Sequence, residues 1–276
     1  MGKALSAAVA AVPAAWGGAG LSLILLWAAL AGWPLIFLHF LHVPFGKAPV
    51  LGWAIILWLL KLVALGALYR TFIFGRQAGA EGRGPGGLQF GAVEVRLLGA
   101  TVLIALFMAV IAVAALLVFA IAFNMSGLAA GYGNSLAGWH AALMRRHSAA
   151  DWTFIILPIV MLAFLVFAGL KFVLAPAATV AEKRMVTLNA LGLSSGQAGK
   201  LFVGIVLLAL PFAIVAAFLP MHGEMMMHGH AALSAGFHMH LLWHALMAAL
   251  TIGLLLPLQT GFLASAYRQI VDLRAK

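Results

Sequence analysis

Charged residues punctuate this chain at wide intervals, and the apolar stretches between them are long enough to cross a bilayer. No charge occurs between Ala4 and Gly46. After the break Gly17-Gly18-Ala19-Gly20, Leu21–Leu41 supplies the ~20 apolar residues that a hydrocarbon core of about 30 Å requires at about 1.5 Å per residue. Pro34 predicts a kink in this first span, since its ring frees a helix carbonyl that neighbouring helices can absorb. Five further apolar runs follow: Val50–Phe74, Leu97–Phe123, Trp152–Leu174, Leu201–Leu219 and Leu241–Ala266. The pattern predicts an all-α fold: a single polytopic bundle of six transmembrane helices over residues 1–276, with short interfacial helices between them.

The shorter segments have their own signals. Ala4–Trp16 is Ala-rich and less hydrophobic, and predicts an interfacial or short re-entrant helix. Its single Lys3 and weak apolar centre do not make a cleaved leader, so it is read as part of the mature chain. Pro44–Pro49 predicts a turn, and the Gly/Arg-rich run Arg76–Gly87 a loop. Leu136, Trp139 and Leu143 recur at helical spacing beside Arg145-Arg146, as on a helix lying at a membrane surface. Thr179-Val180-Ala181-Glu182 matches a capping box and predicts a surface helix over Val180–Leu193. Ser194-Ser195-Gly196-Gln197 matches a second box, opening the fifth span. Tyr267–Lys276 reads as a charged tail.

Composition sharpens this picture in three ways. The chain is 65% hydrophobic and only 8% charged, where a soluble domain would be about 25% charged, so lipid is its solvent. Cysteine is absent, which excludes disulfides, thiolate metal sites and Cys nucleophiles. The net charge of +10 comes from basic residues scattered at span ends, the arrangement of bilayer anchors and not of a nucleic-acid surface. With both termini cytoplasmic, twelve Lys/Arg fall on the inner side and Lys47, Arg145 and Arg146 on the outer side, which satisfies the positive-inside rule. A bacterial inner membrane is the expected location.

The segment Pro176–Leu201 carries a resemblance. A proline exit, Glu182-Lys183-Arg184, Ala190-Leu191, Ser194-Ser195-Gly196 and Lys200-Leu201 follow in order, and Tyr69-Arg70, Phe90-Gly91, Glu94 and Arg96 add to it. Together these resemble bacterial six-span proteins related to the membrane-domain family of glycerophosphoryl diester phosphodiesterases, over about half of the chain. The resemblance implies an accessory or transport-like membrane role without catalytic residues of its own.

Candidate chemistry concentrates in Met221–His244, which holds six of the ten histidines and five of the twelve methionines. In the expected topology this stretch faces outward, as do His39, His42, His140 and His147. Imidazole and carboxylate suit Zn²⁺ and Cu²⁺, and thioethers suit Cu(I). His222 with Glu224, His228 with His230, and His240 with His244 could therefore converge on one ion, joined by His238 and the soft ligands Met225, Met226 and Met227. The bland alternative is a compositionally biased loop at the interface. A haem b between His39 or His42 and His240 or His244 is a second reading, giving an electron-transfer protein. A structural subunit of a larger membrane complex is a third.

Two enzyme-like motifs fail on context. Gly192-Leu193-Ser194-Ser195-Gly196 fits a nucleophile elbow but has neither a preceding strand nor a histidine on its side, so Ser194 reads as a helix cap. His222-Gly-Glu-Met-Met-Met-His228 is not the zinc-protease spacing. Lys61 lies near mid-bilayer. No carboxylate falls inside a span, so no buried ion pair is expected, and Lys61 is expected to face backbone carbonyls within the bundle or to extend its stem toward the interface.

Overall fold

The computed structural model describes residues 2–41, 47–81, 84–125, 135–144, 152–217 and 233–274. It is an all-α polytopic membrane bundle with six helices long and apolar enough to cross a bilayer. In chain order they are α1 (Gly2–Leu41), α2 (Lys47–Phe74), α3 (Ala92–Met125), α5 (Trp152–Phe172), α8 (Ala198–Ala217), and the pair α9 (Leu233–Leu250) and α10 (Leu256–Arg274). A π-helical turn, Thr251–Leu255, joins α9 to α10. The short helices are α4 (Leu136–Met144), α6 (Ala175–Ala181) and α7 (Ala190–Leu193).

The N-terminal segment departs from expectation. Ala4–Trp16 is neither interfacial nor re-entrant. It continues into the first span as one 40-residue helix whose non-helical point, Ala19 (φ −132°, ψ 15°), falls at the anticipated glycine break and not at Pro34. Ala4, Ala8, Ala11, Ala15 and Ala19 form a buried stripe along it. Where the stripe meets α10, a Cβ on Gly261 would lie 2.8 Å from Ala11 Cβ and 3.4 Å from Ala8 Cα. Small side chains let two helix backbones approach closely. The low hydropathy that suggested an interface reflects this packing.

The far end of the chain answers the same demand. The expected charged tail is the last part of α10, with Tyr267 and Ile270 buried. α1 runs antiparallel to α9 and α10, and tryptophan indoles fix the register. Trp16 Nε1 donates to Gly253 O (3.0 Å) and Trp27 Nε1 to Ala245 O (3.0 Å), while Trp53 Nε1 on α2 donates to Ala29 O (3.2 Å). The Trp16 bond sets the break in α1 level with the π-turn, whose wider ladder disturbs the regular carbonyl pairing.

The Gly/Arg-rich loop is a packing wedge. Its 3₁₀ turn Pro85–Gly87 inserts buried Gly87 between α1 and α2, where a Cβ would come within 2.8 Å of Ala19 Cα and 2.9 Å of Ala67 Cβ. The anticipated helix around Trp139 is present as α4. Its indole packs edge-on against Phe119 of α3, with ring centroids 5.1 Å apart.

Both capping-box expectations are overturned. Thr179 lies in the last turn of α6, where its hydroxyl accepts the Val186 N–H (3.2 Å), and no helix spans Val180–Leu193. α6 stops at Ala181, and the chain turns through Glu182–Asn189 before the single turn of α7. Ser194 closes α7, and its hydroxyl donates to Lys171 O (2.9 Å) instead of capping α8. In both cases a backbone group outside the expected capping turn engages the hydroxyl instead.

The core is lopsided. Leu62, Ala67, Leu68, Leu97, Leu174, Ala178, Val180, Val186 and Phe262 pack into one cluster. By contrast, the most apolar windows of α3, α5 and α8 are only 6%, 6% and 11% buried, against 39% for α1. Those three helices turn most of their hydrocarbon surface outward, as lipid contact requires.

Candidate functional site

The polar groups that the fold brings together lie at the end shared by both chain termini. Arg70 is in the penultimate turn of α2 and Glu94 in the first turn of α3, so the α2–α3 loop carries opposite charges to one level. Their side chains are 2% and 0% exposed, and Arg70 Nη2 lies 2.8 Å from Glu94 Oε1 and 2.9 Å from Oε2. Gly91 N–H also donates to Oε2 (2.9 Å). Gly91 immediately precedes α3, so Glu94 forms the acidic half of a capping box and favours the positive end of the helix dipole. Across the gap, Gly66 of α2 leaves room for the carboxylate, because a Cβ there would overlap Glu94 Oε1. Arg70 Nε is buried with no hydrogen-bond partner.

This pair corrects the expectation that no buried ion pair exists. Read singly, Arg70 is a span-end anchor and Glu94 a helix-start acid. The usable signal was their joint position on consecutive antiparallel spans, with a glycine one turn before the arginine.

A second set of contacts ties the same end together. Glu182 accepts hydrogen bonds from Tyr267 Oη (3.2 Å) and Arg184 Nε (2.8 Å). Lys183 Nζ lies 2.7 Å from Glu81, and Arg274 Nη2 donates to Gly192 O (2.5 Å). The Lys183 pair is half exposed, so it adds little to stability. An open cavity of about 160 Å³ beside these contacts is lined by Leu201, Phe262 and Leu273 around the polar Gln197, Lys200 and Gln269. The arrangement cross-braces one end of the bundle. The buried Ser194 hydroxyl is held by a carbonyl and is no nucleophile.

The anticipated metal residues fare differently. His222, Glu224, Met225, Met226, Met227, His228 and His230 lie outside the described residues, as do His42 and His147. The backbones of His238, His240 and His244 are in α9, which sets His240 and His244 one turn apart on one face. His244 is half-buried, and its Nδ1 is buried without a hydrogen-bond partner. His140 is exposed on α4. Among the described residues, no group of three or more His, Asp or Glu is assembled for a metal. For the haem arrangement, His39 is in the last turn of α1 and His240 and His244 are in α9.

Lys61 is not inside the bundle. It is exposed on α2, where a lysine at the centre of a span costs about 2.5–3.5 kcal/mol on insertion scales.

No protein family, curated protein or solved structure matches this chain.

Proposed function

We propose that the chain is a non-catalytic accessory or transport-related protein of a bacterial inner membrane. Both termini are cytoplasmic, and an outward His/Met patch binds copper or zinc. The observation that carries this reading is the gathering of basic residues at one end. Tyr267–Glu182, Lys183–Glu81 and Arg274–Gly192 join the tail, the α2–α3 loop and the α6–α8 connection, so Arg70, Arg96, Lys171, Lys183, Arg184, Lys200, Arg268 and Arg274 share that end. By the positive-inside rule that end is cytoplasmic, and the His/Met stretch between α8 and α9 is then outside. The resemblance to membrane domains of glycerophosphoryl diester phosphodiesterases points to the same kind of role, one without catalytic residues.

Orientation is tested directly because the chain has no native cysteine. Lys183→Cys should react with an impermeant maleimide only after the membrane is opened, and His140→Cys in sealed cells. The reverse pattern would put the His/Met stretch inside and end the metal proposal in its outward form.

Metal binding is read by elemental analysis of tag-free protein purified without chelators. Wild type should hold stoichiometric copper or zinc, and His240→Ala/His244→Ala should lose it while keeping its helical content. Occupancy should fall on acidification, because only neutral imidazole ligates; a Cu(I) component that persists in acid would belong to Met225–Met227. Equal metal in wild type and the double variant would leave the patch as composition alone.

A further inference from the structure

Lys61 lies halfway along the 28-residue helix α2, with about 20 Å of helix rise on either side. Half the thickness of a hydrocarbon core is only about 15 Å. Before Lys61 this part of α2 is widely exposed, at Leu51, Gly52, Ala54, Ile55, Ile56 and Trp58, and Leu51, Ile55, Trp58 and Lys61 follow one another at three- and four-residue intervals. From the next residue onward the helix enters the protein's own core, where Leu62, Ala64, Ala67 and Leu68 are buried. The ammonium is therefore exposed at the last position before α2 enters the core, at a depth without water, and no ion pair engages it among the described residues.

Nor do the described residues hold a counter-charge for a second copy of the chain. Glu94 is occupied by Arg70, and Glu81 and Glu182 pair with Lys183 and Arg184 at the basic end. Asp272 is in the last turn of α10, Asp151 precedes α5, and Glu224 falls between α8 and α9. All four carboxylates of the described residues are at helix ends or between helices. Among the described residues, two copies packed in either direction would leave Lys61 unpaired.

We propose that the Leu51–Lys61 face of α2 docks, within the membrane, against a transmembrane helix of a different protein that carries an Asp or Glu near mid-bilayer. The Lys61 ammonium pairs with that carboxylate. Trp58, one turn away, joins Leu51 and Ile55 in packing around the pair and excluding lipid. Intramembrane charges mark such partners because hydrocarbon leaves no cheaper way to satisfy them. Extending the stem toward a headgroup would have to cover half the bilayer. The proposal requires only the six-span fold and is independent of the metal site and of orientation.

The test uses native membranes of the source cells treated with dicyclohexylcarbodiimide, which enters hydrocarbon. The reagent converts a carboxylic acid to an O-acylisourea; the lysine amine displaces the urea and leaves an amide. Peptide mass mapping should find Lys61 joined to an Asp or Glu within an apolar span of one other protein. Lys61→Arg should retain that protein through purification, whereas Lys61→Met and Lys61→Glu should reduce recovery about ten-fold, the equivalent of about 1.4 kcal/mol. Exchanging the partner's acid for Lys should restore recovery with Lys61→Glu. A thermal midpoint unchanged in Lys61→Met would show that the variant folds. The idea is overturned if Lys61 is unlinked and Lys61→Met keeps the wild-type native mass, which means the lysine reaches a headgroup. A link to a carboxylate of a second copy would overturn it equally.

Discussion

Truncating Glu94 to Ala should cost about 3–5 kcal/mol of stability, because it leaves the Arg70 guanidinium buried without its counter-charge. Arg70 is 2% exposed and bonds Glu94 through a single Nη2, while its Nε already lacks a partner. Arg70→Ala should be comparably damaging, since it strands a carboxylate that is 0% exposed and keeps only the Gly91 N–H. Glu94→Gln separates charge from shape, because it retains an acceptor for Gly91 but not the negative charge. It should fall between wild type and Glu94→Ala. Arg70→Met/Glu94→Leu should recover most of the loss, because burying ions is itself costly and apolar residues of similar volume often match a buried pair. Thermal unfolding of the detergent-solubilised variants would measure the cycle. Single variants as stable as wild type would mean that water reaches the pair.

What made this pair invisible along the sequence also explains which parts were readable. The six spans were legible because hydrocarbon imposes a length and a composition that few other environments do. Ala19 was legible as a break because glycines surround it. Ala4–Trp16 was misread because hydropathy registers the size of a side chain and not what it packs against. Five alanines on one stripe are weakly apolar in sum, yet they allow the close approach of α1 to α10 at Gly261. Thr179 and Ser194 were misread because a capping box describes a local bond. Here the competing partners, Val186 N–H and Lys171 O, lie 7 and 23 residues away. Arg70 and Glu94 are 24 residues apart, and only the hairpin of α2 and α3 makes them neighbours. At the opposite end, the spacing of His240 and His244 was readable from helix periodicity alone. The exposure of Lys61 was not, because it depends on where along α2 the core begins.

The Gly-rich loop provides the second large effect, and a control within itself. Gly87→Val should destabilise the protein by about 3 kcal/mol. Left-handed backbone costs an L-residue about 1–2 kcal/mol, and forcing methyl groups into a filled contact adds about 1–3 kcal/mol. Gly87 has φ +81°, and its missing Cβ would lie 2.8 Å from the α1 backbone at Ala19 and 2.9 Å from Ala67 on α2. Neither neighbour can swing aside: one is backbone and the other has no flexible end. The resulting shift would act at the level where α1 is broken and Trp16 bonds the π-turn, so α1 should loosen from α10 as well as from α2. Gly79 is on the same loop with φ −64° and nothing within 4 Å of a Cβ. Gly79→Ala should be neutral or stabilising by about 0.4–1 kcal/mol, through the reduced freedom of the unfolded chain. Comparing the two variants in one detergent removes loop composition as an explanation, since each deletes one glycine. Equal stabilities would mean that the Pro85–Gly87 turn does not sit between α1 and α2. A large loss confined to Gly87→Val would identify the loop as the wedge that holds the first two spans at their spacing.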